Sequence, residues 1–382
     1  MLQSLRCPRG SWLSKIRAEE LSQAINFMGL ISDQIQTHHS RIKVFSSPTS
    51  LILQIISTAG IMQYRVPLPG EEFEAIYPVD RLRALLKLTG PEDLVTLKKH
   101  ELVFGKSKYS IPPYNLRYPS KPMEIIDVIL KKAQVPFRKE TINNPAHLSQ
   151  LLGFAGKVKG YYGVGLFPSG NAIASDARSL AIVEPEAGKT KEPTLFPPEM
   201  IKVFALSKKE SMDIEFYSDH RGIYFMYFQP LENLHCWFPV RESIVLQDTT
   251  VDERKRVFDH PYTLSLDYDG LVSSIKRLLV FADKALDFEL VLEIHANKVL
   301  LSHKGVKSGG EEELTIIGKI EDALVGTHRK LPGALLKKAL GALSEGEGSL
   351  CLSLHDKDHQ IHAMKIYRQE ALKRFVVLGF RR

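Results

Sequence analysis

Three histidines near the C-terminus, His355, His359 and His362, have the residue type and closeness that a metal site needs. They fall across a predicted hairpin turning at Asp356-Lys357-Asp358, where alternate residues point to opposite faces, so they read as a surface turn. Cys236 stands beside Trp237 with no histidine base near it and reads as core rather than as a nucleophile. Cys7, Cys236 and Cys351 are far apart and show no CxxC spacing, against both a disulfide frame and a zinc site. Tyr162 to Gly170 contains Gly163 and Gly165, but no helix opens behind them. No P-loop, dinucleotide fingerprint or nucleophile elbow is present. His38-His39 lies in a polar stretch and reads as solvated. No catalytic residue, metal ligand or cofactor is expected, and a rival reading as an enzyme has no residue in its favour.

The side chains left with a chemical use are cations. They form five groups: Arg81, Arg83 and Lys87; Lys157 and Lys159; Lys202, Lys208 and Lys209; Lys276 and Arg277; Lys337 and Lys338. Phosphate oxygens are their natural partners.

Each group rides on a predicted helix or on the residues just beyond its end. Apolar spacing gives helices at Arg17 to Ile31, Pro78 to Thr89, Pro145 to Phe154, Pro197 to Leu206, Leu271 to Ala282 and Pro332 to Leu343. Pro78 and Pro332 suit a first helical turn, where a missing N–H costs nothing. Strands are expected at Leu51 to Ser57, Ile61 to Val66, Tyr262 to Leu266, Glu289 to Ile294 and Lys298 to His303. Hairpins are expected at Glu92 to Phe104, Met212 to Phe228 and Ser349 to Met364. Glu184 to Pro193 and Lys304 to Glu313 read as mobile loops, Tyr118 to Pro122 and Gln247 to Arg256 as linkers, and Met123 to Ala133 as an extra short helix.

The elements repeat. Leu21-Ser22-Gln23, Phe27 and Gly29 reappear as Leu148-Ser149-Gln150, Phe154 and Gly156, an offset of 127 residues. The helix signature at Pro78 returns at Pro332, 254 residues on, with a middle copy at Pro198. Each copy reads as strand, helix, several strands, helix, hairpin. The expected class is α+β, with three repeated domains at residues 1–120, 121–248 (121–134 a linker or extra helix) and 249–382, each with two helices packed on antiparallel sheets. The 382-residue length, 44% hydrophobic and 25% charged content fit two or three ordinary globular domains. No run approaches the roughly 20 apolar residues of a membrane span, and no signal-peptide core is present, so a cytoplasmic protein without a membrane partner is expected.

Charge is partitioned by element. Counted with their flanks, as Lys15 to Ile31, Pro78 to Thr89, Pro145 to Lys159, Pro197 to Lys209, Leu271 to Leu286 and Pro332 to Leu343, the six helix segments carry +10 of a net +7, leaving −3 for everything else. Solvated helix faces would be enriched in Glu as well as in Lys, yet five of the six segments hold at most one acid each. Basic stripes are an electrostatic footprint for nucleic acid. The helices lack the Asn, Gln and Arg clusters that read base edges, so the contact would be sequence-neutral.

Specific segments resemble the bacterial-type DNA sliding clamp, the β subunit of replicative DNA polymerases. Tyr161-Tyr162-Gly163-Val164-Gly165-Leu166-Phe167 is followed by Ala174-Ser175-Asp176-Ala177-Arg178-Ser179-Leu180-Ala181, similar to the family's A-T-D-G-H-R-L-A segment. Phe375 to Arg382 is similar to its Y-V-V-M-P-M-R-L ending, and Gly310 to Leu314 resembles an acidic loop of its third domain. Gly379 stands for a proline, and Ala177 and Ser179 for glycine and arginine, a divergence that would suit a phage-encoded member.

The resemblance implies a head-to-tail homodimeric ring around double-stranded DNA, opened by a clamp-loader ATPase and tethering a DNA polymerase. The basic groups above, with Tyr161 and Tyr162, would meet DNA. A partner-peptide pocket would be walled by Gly163, Ser175, Ala177, Leu180, Ile244, Val376, Val377, Leu378 and Phe380. Leu85 on one protomer would face Val280 and Phe281 on the other. The alternative from another class is a monomeric basic protein that docks on one side of a nucleic acid.

Overall fold

A computed structural model of the protein describes residues 15–32, 41–110, 135–156, 162–176, 179–183, 188–218, 224–241, 262–282, 288–305, 308–344, 349–357, 360–368 and 371–379. The expected linkers, the extra helix at Met123 to Ala133 and His38-His39 lie outside these residues.

The chain passes three times through one order of elements. The first pass has β1 (Lys15–Arg17), α1 (Ala18–Ser32), β2 to β5 (Arg41–Ser46, Leu51–Ile56, Ile61–Val66, Phe73–Pro78), α2 (Val79–Leu86) and β6 to β8 (Leu94–Lys98, Glu101–Phe104, Ser107–Ser110). The second has β9 (Arg138–Asn143), a 3₁₀ segment (Pro145–Leu151), β10 to β13 (Val164–Leu166, Ala172–Ser175, Ser179–Val183, Thr194–Phe196), α3 (Pro198–Ser207) and β14 to β16 (Ser211–Ser218, Tyr224–Leu231, Leu234–Pro239). The third has β17 (Thr263–Leu266), α4 (Tyr268–Leu279), β18 to β21 (Glu289–Ile294, Val299–Lys304, Gly309–Leu314, His328–Pro332), α5 (Gly333–Ala342) and β22 to β24 (Leu350–Lys357, Gln360–Arg368, Ala371–Gly379), with a short 3₁₀ turn at Asp322–Leu324.

Strand order repeats with the same regularity. In each pass the first strand joins the last three in one antiparallel quartet, β1-β6-β7-β8, β9-β14-β15-β16 and β17-β22-β23-β24. The inner strands form a second quartet, β5-β2-β3-β4, β13-β10-β11-β12 and β21-β18-β19-β20. Quartets also fuse edge to edge. β4 pairs with β16 and β12 with β24, so that two eight-stranded sheets and two four-stranded sheets result. The class is α+β, as the sequence implies.

The chain divides into two compact units, Met1–Ala146 with Glu199–Arg241, and His147–Pro198 with Glu242–Arg382. In the first, α1 buries Leu21, Ala24, Ile25 and Met28, the face read from sequence, and packs on α2 through Leu82 and Leu86. The Tyr77 hydroxyl donates to the Lys98 carbonyl, linking β5 to the β6–β7 turn. Phe204 on α3 packs on Phe228 at 5.2 Å between centroids. Each such fully buried side chain contributes about 1.5–3 kcal/mol.

In the second unit, Asp267 caps α4 by accepting from the Gly270 N–H at 2.6 Å. The Tyr268 hydroxyl donates to the Leu340 carbonyl at 2.8 Å, and the Arg368 guanidinium lies 3.7 Å from the Tyr268 ring centroid. These contacts tie α4, α5 and β23 together.

Three expectations need correction. Pro145 to Phe154 is a 3₁₀ segment and turn rather than an α-helix. Asn144 enters it at φ 42°, Gly153 and Gly156 follow closely, and no α-type ladder has room to propagate. Lys304 to Glu313 is not a loop along its length. Gly309–Leu314 is strand β20, paired with β19 throughout, and Glu311 and Glu313 stay exposed because it is an edge. Of Glu184 to Pro193, residues 184–187 lie outside the described residues, and Thr190 is buried with its hydroxyl donating to the Leu166 carbonyl at 3.0 Å. Pro78 and Pro332 sit one residue earlier than read, each ending a strand and capping the helix in extended conformation. The three closing hairpins each belong to a three-strand run.

Candidate nucleic-acid interface and partner pocket

The helices place the cations unequally. Arg81 and Lys87 are exposed on α2 and its C-cap, Lys202 on α3, Lys276 on α4, and Lys337 and Lys338 on α5. Lys208 and Lys209 are exposed just beyond α3, Lys208 with φ 51°, and the Lys209 ammonium donates to the Gln229 carbonyl at 2.9 Å. The Lys338 stem lies against Gly153, where a Cβ would come within 3.6 Å. This contact joins the 3₁₀ turn to α5 within the second unit.

Two arginines are engaged elsewhere. Arg83 is half-buried with its guanidinium across Gly29, filling the space a Cβ would take. Glycine at that point lets α2 close on α1. Arg277 is clasped by Glu312, with Nε to Oε1 at 2.8 Å and Nη2 to Oε2 at 2.6 Å. That hydrogen bonding holds the Glu312 carboxyl below the usual carboxylate range and raises the Arg277 guanidinium. Tyr162 is half-buried and bridges Gly156; Lys157, Lys159 and Tyr161 lie outside the described residues.

The pocket residues cluster around β10 to β12 and β24. Gly163 has φ 82°, and a Cβ there would lie 2.6 Å from the Phe196 carbonyl oxygen. Asp176 accepts from the Ser179 amide at 2.8 Å and its hydroxyl at 2.7 Å, while the Ser175 hydroxyl donates to the Ser179 carbonyl at 3.0 Å. The turn is therefore held by its own side chains. The β12–β24 register puts Ser179 opposite Leu378, Leu180 opposite Val377 and Ala181 opposite Val376. Gly163, Ser175, Leu180 and Val376 are all buried. Ala177, Ile244 and Phe380 lie outside the described residues, and Val377 and Leu378 are described by backbone alone.

Leu85 is half-buried in a small surface cleft lined by Tyr77, Arg81, Leu82, Leu102 and Tyr109 among others. Val280 and Phe281 stand out at the end of α4, 80% and 40% exposed. Among the described residues, the edge strands β8 and β20 each pair on one side only. Sequence reading missed both edges and the Glu312 partner. Lys108 on β8 with Lys106 in the turn before it, and the run Glu311 to Glu313 on β20, were the available signals.

Cys236 is fully buried, and burial pushes its thiol well up. Of the three histidines, His355 and His362 lie on β22 and β23, and His359 lies outside the described residues. Among the described residues, no three His, Cys, Asp or Glu side chains group to hold a metal, and no helix is long and apolar enough to cross a membrane.

No protein-family model and no curated protein matches the chain. Solved structures do. A DnaN sliding clamp (DNA polymerase III subunit beta) from Bartonella birtlesii, bound to griselimycin, superposes with a TM-score of 0.70 at 12% identity, covering 97% of this chain and 99% of that one. The DNA polymerase III subunit beta from Pseudomonas aeruginosa gives 0.69 at 15% identity, covering 97% and 100%. The β sliding clamp of C. crescentus gives 0.70 at 13%, covering 98% and 100%. The chain has the sliding-clamp fold along nearly its whole length.

Proposed function

We propose that this chain is a DNA sliding clamp: a processivity factor without catalytic activity that encircles duplex DNA as a homodimer and tethers a polymerase. The observation that carries the reading is coverage in both directions. The fold accounts for 97% of this chain and for 100% of a bacterial clamp. A ring held by topology needs no tight DNA contact. Weak phosphate contacts from Arg81, Lys87, Lys202, Lys208, Lys276, Lys337 and Lys338 would retain it without sequence preference and let it slide.

Each pass through the strand order would then be one clamp domain, with boundaries near residues 120 and 248. Self-association would be head to tail. The exposed edge β8, with Lys108 on it and Lys106 in the turn before it, complements the acidic edge β20, with Glu311 to Glu313. Phe281 and Val280 of one copy would enter the cleft at Leu85 of the other. The polymerase segment would dock beside β12 and β24, as an extended peptide on apolar walls. A clamp-loader ATPase would open the ring.

Solution mass tests the reading. A dimer at twice 43.1 kDa is expected at micromolar concentration. A monomer at every concentration would support one-sided docking on DNA instead.

A further inference from the structure

We propose that Arg277 is a positioning residue of the self-association edge rather than a DNA contact: its double hydrogen bond to Glu312 straps strand β20 onto helix α4 and presents the strand's free edge to a second copy. The proposal rests on the head-to-tail reading above.

Arg277 and Glu312 meet fork to fork, at 2.8 and 2.6 Å. This bidentate geometry fixes orientation as well as charge. Ser274, one turn back on α4, closes the cluster at 3.2 Å from Arg277 Nη2 and 3.4 Å from Glu312 Oε2. The same strand is drawn onto the same helix at Gly310, where a Cβ would come within 3.1 Å of Leu278 and 3.3 Å of Phe281. A glycine contact and a charged clasp, two residues apart, therefore hold one face of β20 against the C-terminal half of α4.

Among the described residues, no strand lies beside the opposite edge of β20. Glu311 and Glu313 are exposed while Glu312 is half-buried towards α4. Three successive carboxylates repel one another, and Arg277 removes the middle one from that repulsion. What remains is an acidic edge with a set register, the arrangement that accepts a basic strand and discourages indiscriminate pairing. Arg277 already turns two of its nitrogens, Nε and Nη2, to Glu312, which makes it a poorer phosphate ligand than a cation with no acid beside it. Lys276, its exposed neighbour, has no acidic partner among the described residues and is the better DNA contact.

The test uses the full chain and three readouts: amide hydrogen exchange over 309–314, sedimentation, and the salt dependence of DNA binding. Arg277→Glu and Glu312→Arg are each expected to speed exchange in β20 and to raise the midpoint of self-association by about fivefold. The double swap R277E/E312R should restore both. Arg277→Ala should leave the log–log salt slope of DNA binding unchanged, while Lys276→Ala lowers it by about 1. The proposal is overturned if the single variants leave β20 exchange alone, if the double swap does not rescue, or if Arg277→Ala lowers the salt slope as Lys276→Ala does. A wild-type chain that stays monomeric, while β20 exchange still responds and is rescued, would sink the head-to-tail reading and leave the strap intact.

Discussion

Gly163 and Phe196 approach so closely that a Cβ on the glycine would lie 2.6 Å from the Phe196 carbonyl oxygen. The glycine also has φ 82°, a region costly for other residues. The obstacle is backbone of the adjacent strand β13, which cannot swing away as a side-chain tip would. Gly163→Ala is therefore expected to cost about 1–3 kcal/mol, read as a lowered urea midpoint with an unchanged m-value. An unaltered midpoint would show that the β10–β13 corner adapts.

Reversing Lys202, Lys208, Lys337 and Lys338 to Glu should weaken DNA retention and reduce the log–log salt slope by about 3–4, close to one per lost phosphate contact. All four are exposed, so thermal stability and self-association should stay near wild type. Full retention of the slope in a folded variant would place DNA on another face.

Leu180, which lies opposite Val377 in the β12–β24 ladder, tests the partner pocket. Removal of residues 380–382 leaves that ladder whole, and is expected to abolish binding of a polymerase-derived peptide while the melting transition moves by no more than a few degrees. Normal peptide affinity in the truncated protein would locate the pocket elsewhere.

Glu312 predicts a pH dependence. The Arg277 hydrogen bonds depress its folded-state pKa, so its contribution is present above the unfolded value of about 4.3 and is lost as pH falls through the folded one. Exchange protection of β20 amides, corrected for intrinsic rates, should hold from neutrality to about pH 5 and decline below about pH 4. Glu312→Gln should flatten that profile. Its persistence in the variant would assign the decline to another group.

Much of the fold was legible in the sequence, for identifiable reasons. β4 and β18 match their expected spans because alternating apolar residues sit between clear turn residues. α1 buries the face its spacing defines. The 3₁₀ segment was misread because Leu148, Leu151 and Phe154 fall at i, i+3 and i+6, a spacing that a helix of either pitch can present. β20 was misread because Gly309-Gly310 and three glutamates look like a loop unless an edge position excuses them. Edge fusion of β4 with β16 and β12 with β24 joins strands more than 160 residues apart, information no local pattern holds. Among the cations, side-chain type could not separate Lys276 from Arg277. Only the arrival of Glu312 from a different element did.

Retention on circular DNA tests the central claim most directly. The protein is loaded on a nicked circular plasmid, the free protein is washed away, and the plasmid is then cut once. The account predicts retention on the closed circle and rapid loss on linearisation, as chains slide off the ends. Equal retention on circular and linear DNA would mean that the protein grips DNA from one side, and would contradict the encircling mechanism.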